Sequence, residues 1–408
     1  MKLTTIRNIL VSLSIFVFGF GMGGRFGFNE VLAPVVTDGN PDLTLFWDVW
    51  SRAKNGFIDK KAIDPNKMMY GAISGMVSSL GDPYTVFLTP DQNKETKEEL
   101  GGAFEGIGAQ LGIKDKKIVV ISPIKGTPAE KAGLHPNDWI AKIDDKETFD
   151  LTLPEAVSKI RGKKGTKVKL AIYRAVSVKD DKVTAATNAA ALSYNLDEKP
   201  LEFEIVRDTI LIKSVELSYV NKLAHLKLLR FGDDTNGEWD KAVMDISVKY
   251  KSGEITGLIL DVRNNPGGYL SGSSYIGSEF LKGGNVVLVE NAKGEKHPYA
   301  VERTGKLLDI PMVVLINEGS ASASEIVAGA MQDRQRAKLV GIKSFGKGSV
   351  QEVQELSGGA GLHITTSKWL LPSGRWINGT GLMPDYKIEM DEKDLTKDPQ
   401  LEKAIEIL

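Results

Sequence analysis

The 408-residue chain contains no cysteine. That absence excludes thiol nucleophiles, disulfides, iron–sulfur clusters and thiolate metal sites together. Histidine is scarce as well: His135, His225, His297 and His363 are scattered, with neither an HExxH nor a paired-histidine spacing. A metal site has little to be built from and is not expected. Nor is there an excess of one charge, since 52 Lys and Arg face 53 Asp and Glu for a net charge of −1. With no basic stripe, nucleic acid is not an expected partner. Repeats and low-complexity tracts are also missing. What remains, 42% hydrophobic and 26% charged, is the balance of an ordinary globular protein. Its length calls for two or three domains.

The N-terminus departs from that balance. Lys2 and Arg7 precede the apolar run Ile9–Phe20, and a Gly-rich stretch then reaches Arg25. A positive segment followed by an apolar one is the pattern of an export signal. The stretch between the two arginines holds roughly 17 residues, the short edge for spanning a bilayer. No clear A-x-A cleavage site follows, so residues 1–24 read as an uncleaved anchor in preference to a removed signal peptide. Positive charge on the short side places the remainder outside the cytoplasm, on the periplasmic or cell-envelope side. Residues 25–40 read as a linker.

From residue 41 to 101 the period is helical. Leu43, Phe46, Trp47, Val49, Trp50 and Ala53 share one broad face, Met68 to Leu80 forms a second run, and Gln92 to Leu100 a third, charged one. The texture turns to β after Gly101-Gly102. Strands are expected at Phe104–Leu111, Lys117–Ser122, Thr166–Arg174 and Leu201–Val206, with a short helix at Leu153–Ile160. Residues 176–199 lack either period and read as an inserted hairpin. From 207 to 390 strands alternate with helices (Gly257–Val262, Ser273–Leu281, Val286–Glu290, Met312–Ile316, a helix from Ala323, Leu339–Ile342). That alternation predicts a largely parallel α/β layer. Residues 391–408 complete the chain as a C-terminal helix.

Three segments could carry chemistry. Strand Met312–Ile316 runs into Asn317-Glu318-Gly319-Ser320-Ala321-Ser322-Ala323-Ser324-Glu325, where a hydroxyl can sit at a helix N-terminus beside free N–H groups. Capping is the commoner use of such serines, so Ser320, Ser322 and Ser324 each have a bland reading. A serine nucleophile also needs a base, and none of the histidines has a triad context. Lys347, in Ser344-Phe345-Gly346-Lys347-Gly348-Ser349-Val350-Gln351, is the other candidate. Desolvated between two glycines it would become a usable base, whereas on a surface hairpin it would be an ordinary solvated lysine. In an extended segment Lys347, Ser349 and Gln351 share a face, so Gln351 could orient the lysine. The third segment is Leu260-Asp261-Val262-Arg263-Asn264-Asn265-Pro266-Gly267-Gly268, a buried strand ending in a Pro-Gly turn whose N–H groups could supply an oxyanion donor.

Together these motifs resemble the C-terminal processing peptidases, or tail-specific serine peptidases. The similarity runs over nearly the whole chain from Leu43 and includes Ser78–Leu88 and Gly379–Asp385. It implies a multidomain α+β protein with N-terminal helices, a PDZ-like β domain at 102–206 and an α/β peptidase core of the ClpP/crotonase kind. It further implies Ser322 as nucleophile, Lys347 as general base, Gln351 as its orienting residue, and the N–H groups of Gly268 and Ala323 as the oxyanion hole, working through an acyl-enzyme with neither metal nor organic cofactor. Gly106, Ile107 and Gly108 correspond to a loop that binds a substrate's C-terminal carboxylate and gates access. Implied partners are proteins or peptides with exposed C-termini, a membrane through the N-terminal segment, a second copy of the chain, and an activating adaptor.

Two other readings compete. One is a peptide-binding scaffold on a silent peptidase fold; nucleophile, base and orienting residue are all present, which disfavours it. The other is a crotonase-like thioester enzyme, which the PDZ-like module and the export signal disfavour.

Overall fold

In the computed structural model the described residues are 41–408, apart from 115, 152, 177–192, 195, 197–198 and 391–396. The anchor or signal at 1–24, the linker at 25–40 and most of the 176–199 insertion lie outside them. Ala175–Val176 and Ser193–Tyr194 pair antiparallel at the base of that insertion. Among the described residues no helix is long and apolar enough to cross a membrane.

The chain divides into two compact units, 1–71 and 72–408. In the first, the helix Thr44–Gly56 has no buried residue. Phe46, Trp47 and Trp50 form an aromatic group on its surface, with ring centroids 5.1–6.2 Å apart. The helix Pro65–Ser78 begins in this unit and ends in the next.

The second unit holds two cores. One belongs to an antiparallel sheet in the order Leu201–Val206, Lys167–Tyr173, Trp139–Ile143, Lys117–Pro123, Ala109–Lys114. Inward residues alternate along these strands, as in Val168, Leu170 and Ile172, and meet Ala156 and Ile160 of the helix Leu153–Ile160. The strand expected over Phe104–Leu111 is two strands, Ala103–Gly106 and Ala109–Lys114. Gly108, at φ 76°, breaks it in a conformation that favours glycine. The first piece pairs instead with Asp208–Leu211.

The larger core surrounds a six-stranded sheet ordered Val215–Val220, Leu223–Leu228, Gly257–Asp261, Met312–Ile316, Lys338–Gly341, Tyr386–Lys387. Its first pair is antiparallel and all later pairs are parallel. Both faces are covered, which is why Met312–Ile316 can be apolar at every position. Leu258, Leu260 and Val314 join the core that includes Trp239 and Ile326, whereas Ile259, Val313 and Leu315 join the one that includes Ala404 of the C-terminal helix Pro399–Ile407. Burying this many full side chains at ~1.5–3 kcal/mol each is the main favourable term in the domain.

Val286–Glu290 does not belong to this parallel layer, contrary to the alternation read from the sequence. Its strand, Asn285–Asn291, lies in a separate antiparallel sheet with Lys296–Ala300, Gly361–Leu370, Ser349–Glu355 and the short Val86–Leu88. Alternation along the chain cannot reveal which of two sheets a strand joins, because that is settled by pairing partners distant in sequence.

Candidate active site

Three consecutive neighbours in the parallel sheet, Gly257–Asp261, Met312–Ile316 and Lys338–Gly341, run in the same direction. Their C-terminal ends therefore emerge side by side, the usual place for a ligand crevice in such sheets. The segments leaving those ends are the Pro-Gly turn, the serine turn and the lysine loop. Parallel order thus gathers motifs that lie far apart in the sequence.

The Pro-Gly turn and the serine turn are stitched together by Asn265, which is fully buried. Its carbonyl accepts from Ala321 N (2.9 Å) and from Ser324 Oγ (2.9 Å), and its side chain receives Gly267 N and donates to Leu228 O. Asn264 and Asn317 add a reciprocal pair, with Asn264 N and Asn317 Nδ2 donating across the gap at 2.8 Å each. Gly267 then abuts the serine: a Cβ at that position would lie 2.9 Å from Ser322 Cβ and 3.1 Å from Ala323 N. Gly268, at φ 134°, packs so closely on Phe231 that a side chain would collide with the Phe231 carbonyl. Among the described residues neither Gly268 N nor Ala323 N donates a hydrogen bond.

The three serines are not equivalent. Ser320 Oγ donates to Val262 O (2.8 Å) and Ser324 Oγ to Ala321 O (2.8 Å), and both residues are fully buried. Ser322 precedes the helix Ala323–Asp333 with φ 56° and ψ −117°. An ordinary N-cap residue is extended, so this backbone is strained by ~1–3 kcal/mol and is held there by its surroundings. Such outliers cluster where a side chain must be presented in a set direction.

The clamp is Glu325, fully buried one turn into the helix. Its Oε2 accepts from Ser322 N and from Lys347 N, each at 2.9 Å. Its Oε1 accepts from Ser344 Oγ (2.5 Å) and Gly346 N (2.7 Å). One carboxylate therefore holds the backbone of both the serine and the lysine. Sequence reasoning assigned Glu325 no role; the available signal was its spacing three residues beyond Ser322, that of a capping box.

Lys347 is partly buried, and its Nζ lies 4.8 Å from the centre of the Tyr84 ring. Burial lowers its pKa below the ordinary lysine value, with Asp82 pulling the other way. No hydrogen bond joins Lys347 Nζ to Ser322 Oγ or to Gln351 in this structure. The Gln351 amide instead donates to Ser349 Oγ (2.9 Å) and Thr365 Oγ1 (3.0 Å). A bulge between Val350 and Gln351 breaks the simple two-residue period that would have aligned it with the lysine. Beside Lys347 opens a cleft of about 1030 Å³ whose walls include Asp82, Tyr84, Phe345, Ser349 and Trp376.

Gly106, Ile107 and Gly108 lie apart from this cleft, in the antiparallel module. All three are buried, and Gly108 packs on Thr127 so tightly that no Cβ would fit. The carbonyls of Ile107 and Gly108 accept from Ala129 N and Ile124 N, both at 2.8 Å. Ala109–Lys114, which follows, is an edge strand and so can pair with an added peptide strand.

Residues 222–388 match peptidase family S41, residues 105–188 match the PDZ domain, and residues 43–94 match the activating protease CtpB N-terminal domain. The chain is 36% identical over 368 residues to a carboxy-terminal-processing protease of Bartonella bacilliformis, covering 88% of this chain and 79% of the relative. It is 37% identical over 341 residues to carboxy-terminal processing protease CtpA of Bacillus subtilis, covering 83% and 67%. Among solved structures, the photosystem II D1 C-terminal processing protease aligns with a TM-score of 0.51 at 25% identity, over 85% of this chain and 92% of that one. A Bacteroides fragilis protein described as a putative S41 protease shares the fold, with a TM-score of 0.53 at 15% identity, over 91% and 98%. With N-terminal helices, a PDZ domain and an S41 core in one chain, this protein belongs to the C-terminal processing proteases, serine peptidases of family S41.

Proposed function

We propose that the protein is an endopeptidase that cuts protein substrates at or near their C-terminal tails through an acyl-enzyme. Ser322 is the nucleophile and Lys347 its general base. The neutral Lys347 amine takes the Ser322 hydroxyl proton as Oγ attacks the scissile carbonyl. The N–H groups of Gly268 and Ala323 receive the developing oxyanion. Lys347 then hands the proton to the departing amine, and water resolves the ester in a second, symmetrical step. Gln351 orients the lysine once substrate closes the cleft, acting through Ser349 and Thr365. A single observation carries this reading: the strained Ser322 abuts the Gly267-Gly268 turn while one buried carboxylate ties it to the Lys347 backbone.

The PDZ domain binds the substrate's C-terminal carboxylate at Gly106–Gly108 and adds the tail as a strand beside Ala109–Lys114, controlling access to the cleft. The character of residues 1–24 favours action outside the cytoplasm, with that segment as a membrane anchor. The aromatic face of Phe46, Trp47 and Trp50 suits contact with a second copy of the chain.

Ser322→Ala and Lys347→Ala should each abolish cleavage of an unstructured protein while leaving the thermal transition in place. Substantial residual activity in both variants would sink the dyad. A silent scaffold would bind tails equally well in the wild type and cleave nothing.

A further inference from the structure

The segment Gly81-Asp82-Pro83-Tyr84 forms a wall of the cleft beside Lys347. Its folding is specific. Asp82 Oδ2 accepts from Thr85 Oγ1 (2.6 Å) and Oδ1 from Tyr84 N (3.2 Å), closing a tight turn over Pro83. Thr85 is buried, and its hydroxyl accepts from Thr365 N (3.0 Å). Thr365 Oγ1 in turn accepts from the Gln351 amide (3.0 Å). The following strand, Val86–Leu88, pairs with Gly361–Leu370 through Val86 and His363. A chain of contacts therefore runs from Asp82 through Thr85 and Thr365 to Gln351, and the Tyr84 ring covers the lysine amine.

We propose that Asp82 is a positioning residue of the hydrolytic site. Its carboxylate supplies the negative charge that steadies Lys347 while the lysine carries the serine's proton, and its turn seats Thr365 for Gln351. This deepens the Ser322–Lys347 reading and rests on it. The charge is available: burial pushes the Asp82 carboxyl up, but hydrogen bonds from Thr365, Thr85 and the amides of Tyr84 and Thr85 hold it below the usual carboxylate range. Among the described residues, titratable groups meet Lys347 from several elements packed against it. They are Asp82 and Tyr84 on this turn, His363 on Gly361–Leu370, and Glu325 on Ala323–Asp333. Burial and Lys347 itself keep His363 below its ordinary value. Glu325 meets the lysine's main-chain N–H and already takes four donors. Asp82 is thus the carboxylate that answers to the amine.

The sign of the effect follows. A base must be neutral, so activity rises as pH passes the Lys347 pKa. A negative neighbour raises that pKa, and removing it lowers the pKa. The test is kcat/KM against pH on an unstructured protein substrate, using the full chain. Asp82→Asn keeps the shape and should move the acid limb to lower pH, retaining a larger share of its plateau rate than wild type at the wild-type midpoint. Asp82→Glu keeps the charge and should leave the limb near the wild-type position. A limb that stays put in Asp82→Asn, or a rate loss uniform across pH, overturns the inference. Ser322→Ala and Lys347→Ala serve as reference: if both are inactive and the Asp82→Asn limb is unmoved, only this inference falls. If either cleaves as wild type does, the dyad falls instead.

Discussion

Glu325→Gln is the most informative single change, because the consequences can be counted atom by atom. The carboxylate offers two oxygens to four donors: Ser322 N and Lys347 N on Oε2, Ser344 Oγ and Gly346 N on Oε1. A glutamine supplies one oxygen and one NH2. Turned with its oxygen toward Ser322 and Lys347, it keeps the main-chain bonds of both residues and sets the NH2 against Ser344 and Gly346. Ser344 Oγ already accepts from Leu382 N (2.7 Å) but has a second lone pair, so it can accept from the amide too. Two donors are then stranded, the Gly346 N–H and the Ser344 hydroxyl hydrogen. A buried donor without a partner costs ~1–3 kcal/mol, so with two of them the loss of stability should be about 2–6 kcal/mol. At ~2–4 °C per kcal/mol for a domain of this size, differential scanning calorimetry resolves that comfortably. Activity should fall less than stability, since the atoms nearest the chemistry keep their acceptor. Glu325→Ala strands all four donors and should lose cleavage outright. If Glu325→Gln melted and cleaved as wild type does, the carboxylate would not be the clamp described above.

Gly268→Ala forces a side chain into the Phe231 carbonyl at φ 134°, so the proposed oxyanion donor must move; kcat should drop by ~10²–10³ with KM little changed in steady-state kinetics. Behind the same turn, Arg263 pairs with Asp261 (2.7 Å) and Asp398 (2.8 Å), and His225 also meets Asp261 (3.0 Å). Burial pushes the Asp261 carboxyl up, but these partners win and hold it at about 2. Because its folded value is depressed, Asp261 contributes stability that is fully present above the ordinary value near 3.8 and is lost as pH falls toward 2. The contribution is about 2 kcal/mol, visible as a falling urea midpoint over that window. Arg263→Ala should flatten that dependence and cost ~3–5 kcal/mol at neutral pH, because it leaves Asp398 without its cation and the buried Asp261 with His225 alone.

Much of the local chemistry was legible in the amino-acid order. The strand at Met312–Ile316 announced itself as an apolar run, and Leu153–Ile160 and Leu201–Val206 by their periods. Such patterns are carried by residues a few positions apart along the chain. Glu325 was visible only as a capping spacing, since three of its four donors come from the lysine loop. Asp82 was invisible for the same reason: the strand Val86–Leu88 that anchors its turn pairs with Gly361–Leu370, hundreds of residues downstream. The sequence pattern of Val286–Glu290 suits the parallel layer, yet it joins the other sheet, because a strand's own residues say that it pairs, not with which partner.

By itself the sequence determined the family, the absence of thiol chemistry, and the identities of a serine, a lysine and a glycine turn in a telling order. Only the tertiary structure decided which serine stands apart. Ser320 and Ser324 spend their hydroxyls on main-chain carbonyls, while Ser322 sits in strained backbone against Gly267. It also decided that the lysine's pKa lies low, because desolvation depends on what covers an amine. Here the cover includes Tyr84, delivered by a turn far from Lys347 along the chain.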